Sequence, residues 1–202
     1  MRAIAYQSPQ PISAETALVD IELPTPEPDA GEVRVRIAYT SVNPADWKTR
    51  RGMLAQYITY QFPFILGFDL SGTVDSVGGG VSRFKIGDRV FGTSRQGQGL
   101  NGSYAQYSIA AEPMLTPLPE GVSLAEAACL PTAGTTAVGG LLDVGNLQPG
   151  QTVLINGGAG GVGAIAIQIA RHVGARVLTT CSASNADYVR SLGAAHAIDY
   201  RN

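Results

Sequence analysis

Thr152-Val153-Leu154-Ile155-Asn156-Gly157-Gly158-Ala159-Gly160-Gly161-Val162-Gly163-Ala164-Ile165-Ala166-Ile167-Gln168-Ile169-Ala170 is the stretch on which the reading of this chain turns. Thr152 to Ile155 reads as a short buried strand, and Ala164 to Ala170 as a helix. Between them Gly158, Gly160 and Gly163 keep the spacing G-x-G-x-x-G. In a dinucleotide fold the first glycine permits a tight turn. The second lets backbone approach a pyrophosphate, and the third lets the helix pack closely on the strand. The helix start, at Gly161 and Val162, then offers unpaired N–H groups and a positive dipole end to that anion. The competing reading is a flexible Gly-rich turn. The strand before and the helix after weigh against it, because they are the context the motif requires.

Downstream, Arg176 to Cys181 reads as a second strand and Asn185 to Leu192 as a second helix, stopped by Gly193. His196 to Tyr200 reads as a third strand. This β-α-β-α-β order is half of a doubly wound fold. The expected second domain, residues 123–202, is thus a Rossmann-type parallel sheet truncated after its third strand. It opens with Ser123-Leu124-Ala125-Glu126, a capping box in which Ser123 is N-cap and Glu126 reaches back. A helical region to about Ala133 and a helix from about Thr135 to Val144 follow.

Upstream, the pattern is that of short strands. Residues 1–7 and 18–23 alternate, and Glu32 to Tyr39 alternates strictly, so Val33, Val35 and Ile37 should face a core and the arginines water. Pro44 opens a short helix that Gly52 ends. Residues 53–64 read as a loop, and Leu66 to Val74, Phe84 to Gly92 and Gly102 to Ala110 supply further strands and turns. About seven short strands predict a compact β-barrel-like domain over residues 1–122. The expected fold class is therefore α+β followed by α/β.

Composition excludes several classes of function. Hydrophobic content of 45% against 15% charged residues supports a buried core and argues against disorder. A formal charge of −2 provides no global field for nucleic acid. Cys129 and Cys181, the only two cysteines, build neither a disulfide framework nor a metal knuckle. No signal peptide is read at residues 1–7, and no apolar run approaches the ~18 residues of a membrane span. A cytoplasmic location is expected.

Asn43-Pro44-Ala45-Asp46-Trp47-Lys48, Gly67-Phe68-Asp69-Leu70-Ser71-Gly72, Gly87-Asp88-Arg89-Val90-Phe91-Gly92 and Gly157 to Gly163 occur in that order. Together they resemble the medium-chain dehydrogenase/reductase superfamily, in its zinc-free, NADPH-dependent quinone oxidoreductase and enone reductase branch. The resemblance covers the whole chain. It implies a GroES-like barrel carrying the substrate cleft, followed by a Rossmann domain. Zinc-dependent relatives carry a cysteine at the first stretch, where this chain has Ser41 and Asp46. They carry His-Glu at the second, where it has Phe68-Asp69. Phenylalanine cannot ligate a metal, and catalytic zinc needs three protein ligands, so no metal site is expected. His172 and His196 lie in the Rossmann half and read as surface or helix-end residues.

The resemblance also implies site residues. It places Asn43 and Thr136 near a nicotinamide, whose carboxamide needs fixed donors and acceptors. Asn43 also reads simply as a turn residue before Pro44. Lys48 stands where its ammonium would stabilise a developing enolate oxygen; it also reads as a solvated helix lysine. Ser182, Asn185 and Tyr200 fall where the branch contacts the 2′-phosphate, with Asn185 replacing a common lysine. Tyr200 reads equally as a strand-end aromatic packing on a helix. Thr180 to Asn185 contains no acid of the kind that NAD-specific sites use, which permits NADPH. Arg190 and Arg201 are the candidate cations. The implied reaction is hydride transfer to a quinone or an α,β-unsaturated carbonyl, with water, Tyr57 or Tyr60 as proton source. Because the first Rossmann strand lacks a neighbour on one edge, pairing with itself or a second chain is expected. The competing reading is an inactive dinucleotide-binding fragment, or one half of a split or hetero-oligomeric reductase.

Overall fold

The computed structural model describes residues 1–8, 18–94 and 102–201. They form two compact units, Met1–Thr132 and Ala133–Asn202. The first is built on two antiparallel sheets. In one, β1 (Arg2–Tyr6) pairs with β2 (Val19–Glu22) and β4 (Phe64–Ile65). In the other, the order is β7-β3-β5-β6-β8, from Tyr107–Ala111, Glu32–Tyr39, Asp69–Val77, Arg89–Thr93 and Leu115–Pro117. A single bridge between Ala3 and Ala105 links the segment before β7 to β1.

Strict alternation on β3 has the expected result for its valines. Val33 and Val35 are fully buried with Leu70, Val74 and Val90. The two arginines behave differently from one another. Arg36 is exposed, whereas the Arg34 guanidinium is folded against Asp75 at 2.7 Å and Glu27 at 2.8 Å. Its stem covers the sheet while its charge is paired, as a long cationic side chain at a sheet surface allows.

The strand expected from Leu66 is interrupted. Gly67 has φ 104°, and β5 begins only at Asp69. Likewise residues 102–106 make a bridge and hydrogen bonds to Gly67, Leu66 and Arg2, and β7 proper starts at Tyr107. α1 (Pro44–Arg50) follows the expected start at Pro44, with the Asp46 carboxylate accepting the Asn43 N–H at 2.7 Å.

The capping box of α2 (Leu124–Ala127) has both halves: the Glu126 N–H donates to Ser123 Oγ at 3.2 Å, and the Ser123 N–H donates to Glu126 Oε2 at 2.9 Å. α2 is only one turn. It lies on the first unit, where Ser71 Oγ donates to the Leu124 carbonyl at 2.6 Å. The unit boundary consequently follows Thr132 rather than residue 122. Burial of Ala127 and Ala128 at the end of this turn ties 123–132 to the barrel strands.

The second unit is a parallel sheet of order β11-β10-β9. Its strands are β9 (Thr152–Ile155), β10 (Arg176–Cys181) and β11 (His196–Asp199). α4 (Gly161–Val173) buries Ala166, Ile167 and Ala170 among Ile155, Val177 and Cys181. α5 (Ala186–Leu192) adds Val189 and ends at Gly193, φ 119°. α3 (Pro131–Val138) runs into a wider π turn over Gly139–Val144. Two adjacent glycines at its start lower the cost of that departure from α geometry. Among the described residues β9 pairs only with β10, and no helix is long and apolar enough to cross a membrane.

Candidate active site

In the first unit the chemistry converges on two buried carboxylates. Asp69, the first residue of β5, is fully buried. Its Oδ2 accepts from Ser41 Oγ at 2.6 Å and from Asn43 Nδ2 at 2.9 Å. Its Oδ1 accepts from the Thr132 N–H at 2.8 Å and from Thr132 Oγ1 at 2.6 Å. Asn43 Nδ2 also donates to Ser41 Oγ at 3.0 Å. Four donors on one carboxylate offset the large cost of removing its charge from water.

Asp46 lies one turn into α1 and is 2% exposed. Its Oδ2 takes the Asn43 N–H and, at 3.2 Å, the Tyr104 hydroxyl. Burial pushes the Asp46 carboxyl above the ordinary range. Asn43, Tyr104 and the Gly67 backbone pull it back, and the negative charge of Asp69 adds to the rise. Burial likewise raises Tyr104, with Asp46 contributing. Beside this pair, Thr40 Oγ1 donates to the Asp69 carbonyl at 2.8 Å and lies 2.7 Å from Ser103 Oγ.

Lys48 is half-buried on α1, its ammonium 5.7 Å from the centre of the Trp47 ring. Tyr60 donates its hydroxyl to the Thr49 carbonyl at 2.5 Å and packs on Phe62 and Phe64, whereas Tyr57 is exposed. Of the two loop tyrosines, Tyr60 thus has its proton already committed.

The second unit contains the glycine loop. Its left-handed residue is Gly157, φ 72°, not Gly158. Gly158 is required for space: a Cβ there would lie 2.1 Å from Thr179 Oγ1 and 2.9 Å from Ile167 Cδ1. Gly163 is required for the same reason, since its Cβ would meet the Gly157 carbonyl at 2.3 Å. At Gly160 a Cβ would touch only the Gly157 carbonyl at 3.3 Å, and at Gly161 nothing within 4 Å. The mouth of the loop is therefore an open cradle that side chains would fill, next to the first N–H groups of the 13-residue α4. That is the shape and polarity a dinucleotide pyrophosphate requires, so these residues fit the group. Val162, on the first turn, is 39% exposed beside this opening.

Sequence reasoning missed what holds the loop. Thr180 Oγ1 accepts the Gly157 N–H at 2.9 Å, and the Thr180 carbonyl accepts the Gly158 N–H at 2.9 Å. Thr179, fully buried, donates to the Ile155 carbonyl at 2.6 Å. The available signal was two threonines opposite the loop on the neighbouring strand.

At the carboxyl ends of β10 and β11 the Tyr200 N–H donates to the Cys181 carbonyl, which sets Tyr200 beside Ser182. Ser182 Oγ lies 3.0 Å from Ser184 Oγ, and Asn185 is exposed at the start of α5. Arg190 is paired with Asp187 at 3.0 Å, while the Arg201 guanidinium carbon lies 5.7 Å from the Tyr200 ring centre. The structure thus brings Ser182, Asn185 and Tyr200 to one sheet end and commits Arg190 elsewhere. Thr136 is exposed on α3, in the second unit. Among the described residues no three His, Cys, Asp or Glu side chains are placed to hold a metal ion.

Residues 29–120 match the alcohol dehydrogenase GroES-like domain. The whole chain is 37% identical to a chloroplast envelope quinone oxidoreductase homologue of Arabidopsis thaliana, of which it spans 61%. It superposes on the quinone oxidoreductase of Coxiella burnetii with a TM-score of 0.87 and 35% identity, covering all of this chain and 62% of that one. The chain belongs to the medium-chain dehydrogenase/reductase superfamily. A mycobacterial member of similar structure, solved with NADPH, has a TM-score of 0.84 and 34% identity, covering 99% of this chain and 59% of that one. The chain thus spans about three fifths of the reductase relatives it matches. Within the superfamily its similarities lie on the quinone and enone reductase branch. Ser41 and Asp69, one from each of the two stretches compared with the zinc-dependent relatives, are hydrogen-bonded to each other.

Two outcomes follow from this geometry. Gly158→Ala should destabilise the second unit by about 1–3 kcal/mol, the usual cost of overpacking, whereas Gly161→Ala should be tolerated. Urea unfolding of the two variants compares them; equal effects would refute the space requirement. The second outcome concerns pH. An acid raised by folding binds more protons folded than unfolded between its two pKa values, so stability falls as pH rises through that window. Asp46→Asn removes this term. Its stability relative to wild type should improve from about pH 4 upward, the ordinary carboxylate value. A difference independent of pH, measured by urea melts, would show that Asp46 is not raised.

Proposed function

We propose that this protein is an NADPH-dependent oxidoreductase that reduces a quinone or the β-carbon of an α,β-unsaturated carbonyl without a catalytic metal. The observation that carries this reading is the end of β10. Thr180 to Asn185 has no carboxylate; the Ser182 and Ser184 hydroxyls lie 3.0 Å apart there, just past the Cys181 carbonyl that accepts the Tyr200 N–H. A carboxylate at this point would hold a ribose 2′-OH and repel a 2′-phosphate. Similarity to quinone oxidoreductases and to a member solved with NADPH supports the same reading.

The Gly157–Gly163 backbone would hold the pyrophosphate, and Ser182, Asn185 and Tyr200 the 2′-phosphate, with Arg201 the nearby cation. Asn43 and Thr136 are assigned to the nicotinamide. NADPH when bound supplies the hydride. The chain's own contribution is to orient the acceptor and to meet the charge that grows on its oxygen, a role for the Lys48 ammonium. Both oxygens of Asp69 are already taken by the donors of Ser41, Asn43 and Thr132, which leaves it poorly placed to bind a metal.

NADPH should bind more tightly than NADH when both are titrated at one ionic strength, by quenching of Trp47 or by calorimetry. Ser182→Asp should weaken NADPH binding far more than NADH binding. Equal or tighter binding of NADH by the unsubstituted chain would contradict the assignment.

A further inference from the structure

β9 stops at Ile155, whereas β10 runs on past Thr179, the partner of Ile155, to Cys181. Where β9 turns into the glycine loop, Thr179 and Thr180 take over from the strand ladder. Thr179 is fully buried, and its hydroxyl donates to the Ile155 carbonyl at 2.6 Å. Thr180 is half-buried. Its Oγ1 accepts the Gly157 N–H at 2.9 Å, and its carbonyl accepts the Gly158 N–H at 2.9 Å. The Thr180 hydroxyl proton is left for Asn156 Oδ1, 3.4 Å away. The N–H groups of the loop therefore fall into two sets. Those of Gly157, Gly158 and Gly160 are bonded within the loop and β10, the last of them to the Gly157 carbonyl at 2.9 Å. Those of Gly161 and Val162, on the first turn of α4, have no acceptor among the described residues. That is the normal condition of the first N–H groups of a helix.

Gly157 connects the two sets. Its left-handed backbone, φ 72°, is pinned at the N–H by Thr180 and at the carbonyl by Gly160. We infer that Thr180 is a positioning residue: its hydroxyl clamps Gly157 and so aims the unpaired N–H groups of Gly161 and Val162 at the pyrophosphate of a bound dinucleotide. This role rests on the dinucleotide reading of the loop given above. It separates Thr180 from Ser182 and Asn185, which are assigned to the 2′-phosphate, and from Thr179, whose buried hydroxyl serves stability. Because NADPH and NADH carry the same pyrophosphate, Thr180 acts equally on both.

The first measurement needs no ligand. In the 15N-labelled 202-residue chain, the Gly157 amide proton should exchange about fivefold more slowly than that of Gly161, once both rates are corrected for their neighbours. That is the protection one net hydrogen bond gives. Thr180→Ser keeps the hydroxyl and should retain the protection. Thr180→Val keeps the shape, loses the acceptor and should abolish it. Equal exchange of the two amides in the unsubstituted chain would overturn the inference, whether or not the variants fold.

The second measurement is the affinity for NADPH and for NADH by calorimetry. Thr180→Val should weaken both by about fivefold, and Thr180→Ser should restore both. Thr179→Val removes a buried donor from the Ile155 carbonyl. It should lower the urea midpoint of the second unit, followed through its 15N resonances, more than Thr180→Val does. A merely structural Thr180 would give the reverse, a lowered midpoint with both affinities unchanged, and would overturn the role. A loss confined to NADPH would also overturn it, by placing Thr180 at the 2′-phosphate. Tighter binding of NADH by the unsubstituted chain would contradict the NADPH preference alone, and an equal loss of both dinucleotides in Thr180→Val would still support the role of Thr180. Binding of neither dinucleotide would overturn the dinucleotide reading and the positioning role with it, while the exchange rates still decide whether Thr180 clamps Gly157.

Discussion

A carboxylate with no access to water needs partners in proportion to its charge, and Asp69 has four. Breaking a buried, hydrogen-bonded charge by removing a partner leaves the remainder unpaired, which costs a few kcal/mol. That cost makes the site rigid. Asp69 stands at the start of β5, in the middle of the five-stranded sheet, and its two oxygens face two different segments. One grips the entry to α1 through Ser41 and Asn43. The other grips Thr132, at the start of α3. Asp46, through one of its two oxygens, joins the Asn43 N–H to the Tyr104 hydroxyl. The interior of the first unit around α1 is thus fixed by acceptors that dictate how the surrounding donors point.

The second unit depends on a different constraint, which is space. Thr179 and Thr180 press on the glycine loop from β10, one filling the room next to Gly158 and the other holding the Gly157 N–H. The loop stays open at Gly160 and Gly161 and tight at Gly158 and Gly163. A phosphate site of this kind needs both properties: backbone N–H groups free to face the anion, and a strand and helix close enough to hold them still.

The parts legible in the sequence were those encoded by local pattern. The strand-glycine-helix stretch, the Ser123 and Glu126 capping box and the stop at Gly193 each have a backbone reason contained within a few residues. The order of the parallel strands followed from them. What was not legible depends on residues far apart in the chain. Phe68-Asp69 could be read for what it lacks, a histidine ligand, but not for what Asp69 does, since its partners sit 28, 26 and 63 residues away. The division after Thr132 was hidden for the same reason: α2 reads as the start of a helical domain, yet its carbonyls and alanines are tied to β5 and its neighbours. The tight turn was assigned to Gly158 although Gly157 makes it, because a motif spacing specifies glycine without saying whether φ or volume demands it.

The central claim is that the buried Asp69 carboxylate cross-ties the first unit, and a double-mutant cycle tests it most directly. Asp69→Ala, Thr132→Val and the double variant are unfolded in urea, and the transition of the first unit is followed through Trp47. The account predicts a coupling of about 1.5–3 kcal/mol between the two sites, the range for a hydrogen bond to a charged group. Changes that add to within about 0.5 kcal/mol, as for independent sites, would contradict it.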